Sequence, residues 1–232
     1  MHLFYEPELL TNNGMLNPDE SHHCIRVLRH VAGDHIKVID GKGNLFTCII
    51  TDANQKKCKV EIEHRQTQAP VDYVTHIAVA PTKNIDRLEW FLEKGTEIGI
   101  EIITPLLCTN SERRIIKTER LEKVITSAVK QSLDLWMPQL MPLSDFETFV
   151  KQPFEGDKFI AHCRDENDTH LKLQYTRGKS VTILIGPEGD FTELEIELAL
   201  QNGFKPVTLG AKRLRTETAA LVACHTIRLM NE

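Results

Sequence analysis

Hydrophobic residues follow different patterns in the two parts of the chain. Ala32 to Glu63 contains three short runs of strand-forming residues, HIKVID, LFTCIIT and KCKVEIE, which turn-forming residues separate. This pattern is typical of a small β unit. Ahead of it, Pro18 to Arg29 predicts a helix with Asn17 as its N-cap. The polar segment Gln66 to Pro70 ends in proline and is the predicted end of a first domain, residues 1–70.

From Thr75 onward, apolar runs that predict strands alternate with helical patterns. The predicted strands are HIAVAP, EIITPL, KFIAHC, VTILIG and PVTLG, and the predicted helices are Ile85 to Ile98, Glu119 to Leu133, Thr192 to Gln201 and Arg215 to Met230. Such alternation predicts an α/β fold with a parallel sheet for residues 71–232, preceded by the β-rich domain. In sheets of this class a ligand binds beyond the carboxyl ends of the strands.

The ends of one predicted helix carry specific signals. Thr192 and Glu195 have the spacing of a capping box, in which each side chain bonds a backbone amide at the helix start. Gly203 stands where a glycine in a left-handed conformation would end the same helix.

Composition indicates an ordinary globular protein. The chain has 232 residues, 41% hydrophobic and 26% charged, with no apolar run as long as a membrane span. The start, MHLFYEPELL, lacks the pattern of a secretory signal, so we expect a cytoplasmic protein. The net charge of −5 argues against a uniformly positive surface but permits a local basic patch.

Cysteine and histidine usage gives no metal signal. The six cysteines include no C-x-x-C pair, so we expect reduced thiols and no zinc ribbon. His22, His23 and Cys24 are adjacent, but neighbouring helix positions point in different directions. We therefore predict no bound metal.

The stretch LIGPEGDF, residues 184–191, places Gly-Pro-Glu-Gly directly after a predicted buried strand. Glycines let backbone groups approach a ligand closely, and proline restricts the turn. Neither common phosphate-binding motif, G-x-x-x-x-G-K-[ST] or G-x-G-x-x-G, occurs in the sequence. The turn therefore predicts a ligand other than a nucleotide phosphate, although GPEG alone is a weak motif.

A second stretch makes the signal specific. About twenty residues after GPEG the chain reads LGAKRLRTETAA, and KNIDRLEWFLEKGTEIGIEIITP lies upstream. With these motifs the sequence resembles the SPOUT class of methyltransferases. Within that class it resembles the bacterial enzymes that methylate uracil N3 of 16S ribosomal RNA, and HHCIRVLR with AGDHIKVIDGKG resembles their PUA-like RNA-binding domain.

The resemblance implies a trefoil-knotted α/β domain that binds S-adenosylmethionine, and a homodimer with RNA as its partner. The residues that it implies for the cofactor follow the last predicted strands or begin the last helix: His162, Gly186, Pro187, Glu188, Gly189, Leu209, Gly210, Leu214, Arg215, Thr218 and Ala219. From the residues themselves, the glycines are expected to bring main chain close to the ligand, and Leu209 and Leu214 to enclose the adenine.

Removing the proton from uracil N3 leaves an anion that a positive charge would stabilise. Arg215, at the start of the last helix, is the candidate, because a helix N-terminus adds positive potential. Glu217 is either a base or a carboxylate that stabilises the first helical turn. Glu188 either accepts a proton or fixes the turn through backbone amides, and His162 is a possible proton shuttle or an ordinary loop histidine.

Candidate RNA contacts are arginines, since phosphates attract guanidinium groups. They are Arg26 and Arg29 in the first domain, Arg113 and Arg114, and Arg213. For the pair Arg113 and Arg114, a solvated surface is an equally good interpretation.

Three positions depart from the family pattern. Asp190 replaces a usual glycine, Leu133-Asp134 replaces a common Gly-Arg, and His2 stands where arginine is frequent. Two alternative functions stay open: an RNA methyltransferase of this class with another target, and a non-catalytic RNA-binding factor of ribosome assembly.

Overall fold

The computed structural model describes residues 2–164 and 169–232. The chain divides into two compact units. The first runs to Pro70 and also contains Thr126–Met137, and the second consists of Val71–Ile125 and Pro138–Glu232. The predicted domain limits, 1–70 and 71–232, stay a prediction.

The first unit contains a four-stranded sheet in the order β1-β2-β3-β4, in which β1 is parallel to β2 and the other pairs are antiparallel. The strands are β1 Leu3–Tyr5, β2 His35–Ile39, β3 Asn44–Asp52 and β4 Lys59–Thr67. Along β3, residues alternate between buried and half-buried, and Phe46, Cys48 and Ile50 enter the core. The three predicted strands are present. The three-residue β1 is too short for periodicity to reveal it.

Two details of this unit correct the sequence prediction. Helix α1 spans Pro18–His22 with the expected Asn17 cap, whose side chain accepts a hydrogen bond from the Glu20 amide at 3.0 Å. The chain then widens into a π-helix at His23–Val27 and does not stay helical to Arg29, whose φ of 60° is left-handed. Strand β4 also continues to Thr67, because this residue pairs with Asn44, so the segment predicted as the end of the first domain is partly strand.

The second unit is built on a parallel sheet in the order β11-β9-β10-β5-β6-β7, and β8 pairs with β6. Its strands are β5 Thr75–Val79, β6 Ile102–Leu107, β7 Gln139–Leu140, β8 Ser144–Asp145, β9 Asp157–Ala161, β10 Val181–Ile185 and β11 Lys205–Val207. All their pairings are parallel, so the carboxyl ends lie at one edge. The predicted α/β fold class with a parallel sheet is confirmed.

The helices of the second unit include all those predicted from the longer patterns. They are α2 Ile85–Ile98, α3 Thr118–Ser132, α4 Phe146–Val150, α5 Leu171–Gln174, α6 Glu193–Gln201 and α7 Thr216–Asn231, and the last part of α3 belongs to the first unit. The capping box of Thr192 and Glu195 is present, and Gly203 has φ 83°. The short α4 and α5 were not predicted, because four or five residues show no helical period.

Burial explains which strands form the centre of this sheet. Every residue of β5 and β10 is buried, as expected for strands covered on both faces. A core cluster that includes Leu184, Phe191 and Phe204 packs around the same strands. Within the described ranges, no helix is long and apolar enough to cross a membrane.

Candidate functional site

Three loops leave the carboxyl ends of neighbouring strands in the second unit. Strand β9 lies between β10 and β11 in the sheet. Residues 162–164, which directly follow β9, therefore stand between the turn after β10, residues 186–190, and the loop after β11, residues 209–215. We call residues 186–190 the GPEGD turn and residues 209–215 the basic loop. The two motif-bearing strands, β10 and β11, are therefore not adjacent in the sheet, because sequence order does not give sheet order.

The first cavity, about 310 Å³, lies where these segments meet. It is lined by six residues proposed for the cofactor, namely Gly186, Pro187, Glu188, Leu214, Arg215 and Ala219. The others in its wall are Ala161, Cys163, Ile185, Asp190, Arg213 and Thr216. The wall thus combines small apolar groups with charges of both signs.

The second cavity, about 660 Å³, adjoins the first, since Ala161, Cys163, Arg213, Leu214 and Ala219 line both. Five of the residues proposed for the cofactor contribute to it: His162, Leu209, Gly210, Leu214 and Ala219. The remaining contributors include Arg164, His170, Thr208, Ala211 and Lys212. The volumes of both cavities fall in the range of roughly 300–1,000 Å³ that is usual for small-molecule sites.

Two glycines are required by the geometry of these cavities. A Cβ on Gly186 would lie 3.1 Å from the ring of Phe191, which is tighter than ordinary packing. Gly210 has a φ of 139°, and a Cβ built there meets no atom within 4 Å. The main chain at Gly210 is therefore open to a ligand, as expected for a backbone contact.

Unlike Gly186 and Gly210, Gly189 lies outside the described lining of both cavities. Its carbonyl accepts a hydrogen bond from Asn110 Nδ2 at 3.2 Å, and in the described part of the chain it lines neither cavity. Gly186 and Gly210 line the cavities, whereas the cofactor role expected for Gly189 stays a prediction. Adjacent residues of one turn face different sides, which spacing alone did not reveal.

Hydrogen bonds fix the GPEGD turn to the segments around it. The buried Thr216 hydroxyl at the start of α7 donates to the Gly186 carbonyl at 3.0 Å. Glu188 Oε1 accepts from the Lys83 amide at 3.0 Å. This contact fits the second role considered for Glu188, in which its carboxylate fixes the turn through a backbone amide.

Asp190 adds further contacts to the turn. Its φ is 62°, so it keeps the left-handed backbone that a glycine would adopt. Its carboxylate accepts hydrogen bonds from the Cys163 amide at 3.0 Å and from the Phe191 amide at 2.8 Å. Asp190 therefore has a backbone conformation that glycine adopts readily, and its carboxylate adds a side-chain link. Leu133, the other departure at a glycine position, also has a left-handed φ of 60°.

The basic loop carries exposed positive charge. Arg213 and Arg215 are exposed, and neither forms an ion pair with residues in the described ranges. Arg215 is the N-cap of α7, and its carbonyl accepts from the Ala219 amide at 2.7 Å. Its guanidinium is therefore placed at the positive end of a 16-residue helix.

Glu217 and Thr218 lie outside the cavity walls. Glu217 is buried, with its Oε1 4.0 Å from Arg87 Nε, and its Oε2 has no hydrogen-bond partner among the described residues. Neither Glu217 nor Thr218 is part of the described lining of the two cavities. Their proposed catalytic and cofactor roles stay predictions. Thr216 and Ala219 lie three residues apart on α7 and both line the first cavity. Glu217 and Thr218, between them, lie on other sides of the helix.

The proposed RNA-binding arginines fall into two groups. Arg113 is half-buried, and its guanidinium donates to the carbonyls of Thr82 at 3.0 Å and Lys83 at 2.7 Å. Arg114 is exposed, with one bond of 3.4 Å to the Thr109 carbonyl.

Arg26 and Arg29 are exposed and form no ion pair in the part of the chain that the structure describes. The π-helix and the left-handed Arg29 mean that they do not share one regular helix face. Arg113 thus has a structural contact, while the exposed arginines are open to an anion.

Cys163 was not predicted for the site, although it is the last residue of the predicted strand KFIAHC. It is exposed, whereas the other five cysteines are buried. Partial burial, together with the negative charge of Asp190, raises the pKa of its thiol, and Arg213 opposes this. The preceding His162 is half-buried, and its Nδ1 accepts from the Arg164 amide at 3.3 Å.

Other residues that line the cavities were not predicted from the sequence, for different reasons. Thr216 stands inside the quoted motif LRTETA, so its spacing offered a signal. His170 reaches the second cavity from the start of α5, and only the folded chain reveals that contact. Over the described ranges, no group of three or more histidine, cysteine or acidic residues is arranged to hold a metal ion.

Comparison with known families identifies the class. The RNA methyltransferase domain family matches residues 68–228, and the RNA methyltransferase PUA domain family matches residues 16–63. The chain therefore belongs to the RNA methyltransferase domain family, with a PUA domain of that family before it. The resemblance stated from the motifs is confirmed.

Individual relatives show which RNA methyltransferases this chain is similar to. Ribosomal RNA small subunit methyltransferase E of Synechocystis is 28% identical over 227 residues, which cover 94% of this chain and 73% of that protein. A probable rRNA methyltransferase from Porphyromonas gingivalis has a crystal structure with TM-score 0.89 and 41% identity, covering 99% of both chains.

One solved relative contains a ligand. Ribosomal RNA small subunit methyltransferase E from Neisseria gonorrhoeae, crystallised with bound S-adenosylmethionine, has TM-score 0.80 and 28% identity, covering 100% of this chain and 98% of the other. The predicted trefoil knot is not addressed by these likenesses and stays a prediction.

Proposed function

We propose that this protein transfers a methyl group from S-adenosylmethionine to N3 of uracil in small-subunit ribosomal RNA. The observation that carries the proposal is the pair of adjoining cavities at the carboxyl edge of the parallel sheet. The GPEGD turn and the basic loop line these cavities in a chain of the RNA methyltransferase family.

The cavities suit the donor chemically. S-adenosylmethionine needs an apolar slot for its adenine and main-chain groups for its polar edges. Leu209 and Leu214 supply apolar surface, and Gly210 supplies open main chain. The residues that we propose to hold the donor are the predicted ones that line either cavity, with Thr216 and Cys163 added.

When bound, S-adenosylmethionine supplies an activated methyl group on a sulfonium. The protein must place uracil next to it and stabilise negative charge as N3 loses its proton. We assign this stabilisation to Arg215, because its exposed guanidinium lines the first cavity at the N-terminus of α7. For Glu217 we propose the alternative role, stabilisation of the first turn of α7, because it faces Arg87 and lies outside the cavity lining.

The RNA is proposed to contact the exposed arginines, Arg26 and Arg29 in the PUA domain and Arg114 and Arg213 in the second unit. Arginine at phosphates provides affinity without reading sequence. We further propose that the protein acts in the cytoplasm as a homodimer, with its last strands and loops threaded as a trefoil knot. The homodimer rests on the resemblance, and analytical ultracentrifugation of the full chain tests it by giving twice the mass of 26.5 kDa.

Two measurements test the function. Calorimetry with S-adenosylmethionine should give saturable binding of about one molecule per chain, whereas no heat at millimolar ligand would remove the donor assignment. Mass analysis of nucleosides in small-subunit RNA from a strain that lacks the protein should show loss of 3-methyluridine. Persistence of 3-methyluridine together with loss of another methylated nucleoside would favour a different RNA target. Binding of RNA without any change in modification would favour the assembly factor.

A further inference from the structure

Asp190 occupies an unusual backbone conformation in the wall of the first cavity. Its φ is 62°, a region that residues with side chains seldom adopt. Asn13, Arg29 and Leu133 share this feature, but within the described ranges only Asp190 of these four lines either cavity. Strain kept at a ligand-facing position is a reason to look for a functional contact.

The contacts of Asp190 join three segments of the second unit. Its amide donates to the Pro187 carbonyl at 2.9 Å, which closes the GPEGD turn, and its carbonyl accepts from Asn110 Nδ2 at 3.0 Å. Glycine could make both of these main-chain contacts. The carboxylate adds bonds that glycine cannot make, from the Cys163 amide and the Phe191 amide.

The bond to the Cys163 amide has a direct consequence for the cavities. Cys163 belongs to the loop after β9, and it lines both cavities. An exposed ion pair between Arg164 and Glu193, at 2.6 Å, joins the same loop to the residues that follow the GPEGD turn. Exposed ion pairs hold geometry weakly. The carboxylate of Asp190, which bonds directly to the backbone, is therefore the firmer of these two described links.

We propose that Asp190 is a positioning residue for the methyl donor. Its carboxylate fixes the loop after β9 against the GPEGD turn, so that the donor cavity is formed before the ligand arrives. The inference rests on the proposed function, because it concerns the same donor. Preorganisation of this kind increases affinity by removing the cost of ordering a loop on binding.

Asp190→Gly separates the side chain from the backbone conformation. Glycine adopts the left-handed φ without strain, while both carboxylate bonds are lost. We expect the Kd for S-adenosylmethionine, measured by calorimetry on the full chain, to rise about tenfold. We expect kcat at saturating donor to stay within about twofold, and Tm to stay within a few degrees, since lost bonds and relieved strain offset each other.

Two further variants give the matched controls. Asparagine tolerates the left-handed region and keeps one acceptor oxygen, so Asp190→Asn should return the Kd to within about threefold of the wild-type value. Asn13→Gly makes the same kind of backbone change, from a φ of 59°, in the first unit. It should leave the Kd unchanged.

Hydrogen exchange of the Cys163 amide, followed by NMR, reports the proposed link without relying on activity. The exchange should be faster in Asp190→Gly than in the wild type and in Asp190→Asn. Equal donor affinity and equal exchange in wild type and Asp190→Gly would overturn the inference alone. Failure of the wild-type protein to bind S-adenosylmethionine would overturn the proposed function and the inference with it.

Discussion

The GPEGD turn and the basic loop both line the first cavity but are held in opposite ways. Side chains or amides of Thr216, Lys83 and Asn110 bond to the turn, and Gly186 and Pro187 are buried. In the basic loop, residues 211–213 are exposed, and the side-chain bonds described there run between Thr208 and Gly210. The rest of the fold therefore sets the shape of the turn, whereas the loop keeps its charges available for a ligand.

This difference suggests that the turn and the loop have different functions. A turn with fixed main-chain groups is suited to recognise a small donor, because nothing has to be ordered on binding. Exposed arginines next to it are suited to a polyanion and to charge that develops during reaction. Substitutions in the turn should then change donor affinity and stability, and substitutions of the arginines in the basic loop should change turnover and RNA affinity.

The largest effect is expected at Arg215. Arg215→Ala should lower kcat about 100-fold or more, the usual loss when one group that stabilises developing charge is removed. The Kd for S-adenosylmethionine should stay within about threefold. Steady-state kinetics and calorimetry on the same preparation measure the two quantities. Equal losses in both would show that Arg215 only binds the donor.

Removing the hydrogen bond from Thr216 to the GPEGD turn should lower the free energy of unfolding. Thr216→Val keeps the shape of the side chain but leaves the buried Gly186 carbonyl without its donor, at a cost of about 1–3 kcal/mol. For a chain of this length that corresponds to a decrease in Tm of roughly 2–10 °C, measured by calorimetry. Thr208→Val removes two exposed bonds to Gly210 in the basic loop and should change stability by less than about 0.5 kcal/mol. Similar decreases for both variants would contradict the contrast between turn and loop.

Cys163 offers a measurement at the point where the two cavities meet. It is the exposed cysteine of the six, so a maleimide should label it selectively. Donor present at about ten times its Kd should slow the labelling about tenfold, because only the free protein reacts. The raised pKa of this thiol makes a slightly alkaline buffer preferable. Unchanged labelling at saturating donor would place the donor outside both cavities.

The smallest effect is expected at Arg213. Arg213→Gln should weaken binding to a labelled small-subunit RNA fragment by a few-fold and reduce the salt dependence by about one phosphate contact. Arg120, which pairs with Asp86 and Glu89, provides the control, since Arg120→Gln removes a charge that is already neutralised. If both variants change the salt slope equally, the basic loop has no special role in RNA binding.

Many helices and strands of the second unit could be predicted from the sequence, because the patterns that indicate them are local. The capping box at Thr192, the helix Ile85–Ile98 and the largely apolar strand at Val181–Ile185 each follow from patterns of a few residues. The motifs GPEG and LRTETA likewise pointed to the correct edge of the sheet. Such signals depend on backbone geometry and periodicity, which a short stretch of chain carries with it.

The sequence by itself determined the class of fold, the family, and nine of the residues that line the two cavities. Only the tertiary structure decided that β9 separates the two motif-bearing strands, that Gly189 and Glu217 face away, and that Asp190 reaches the Cys163 amide. Each of these depends on the order of strands in the sheet or on the direction of one side chain. Both are set by packing between residues far apart in sequence, and no local pattern encodes them.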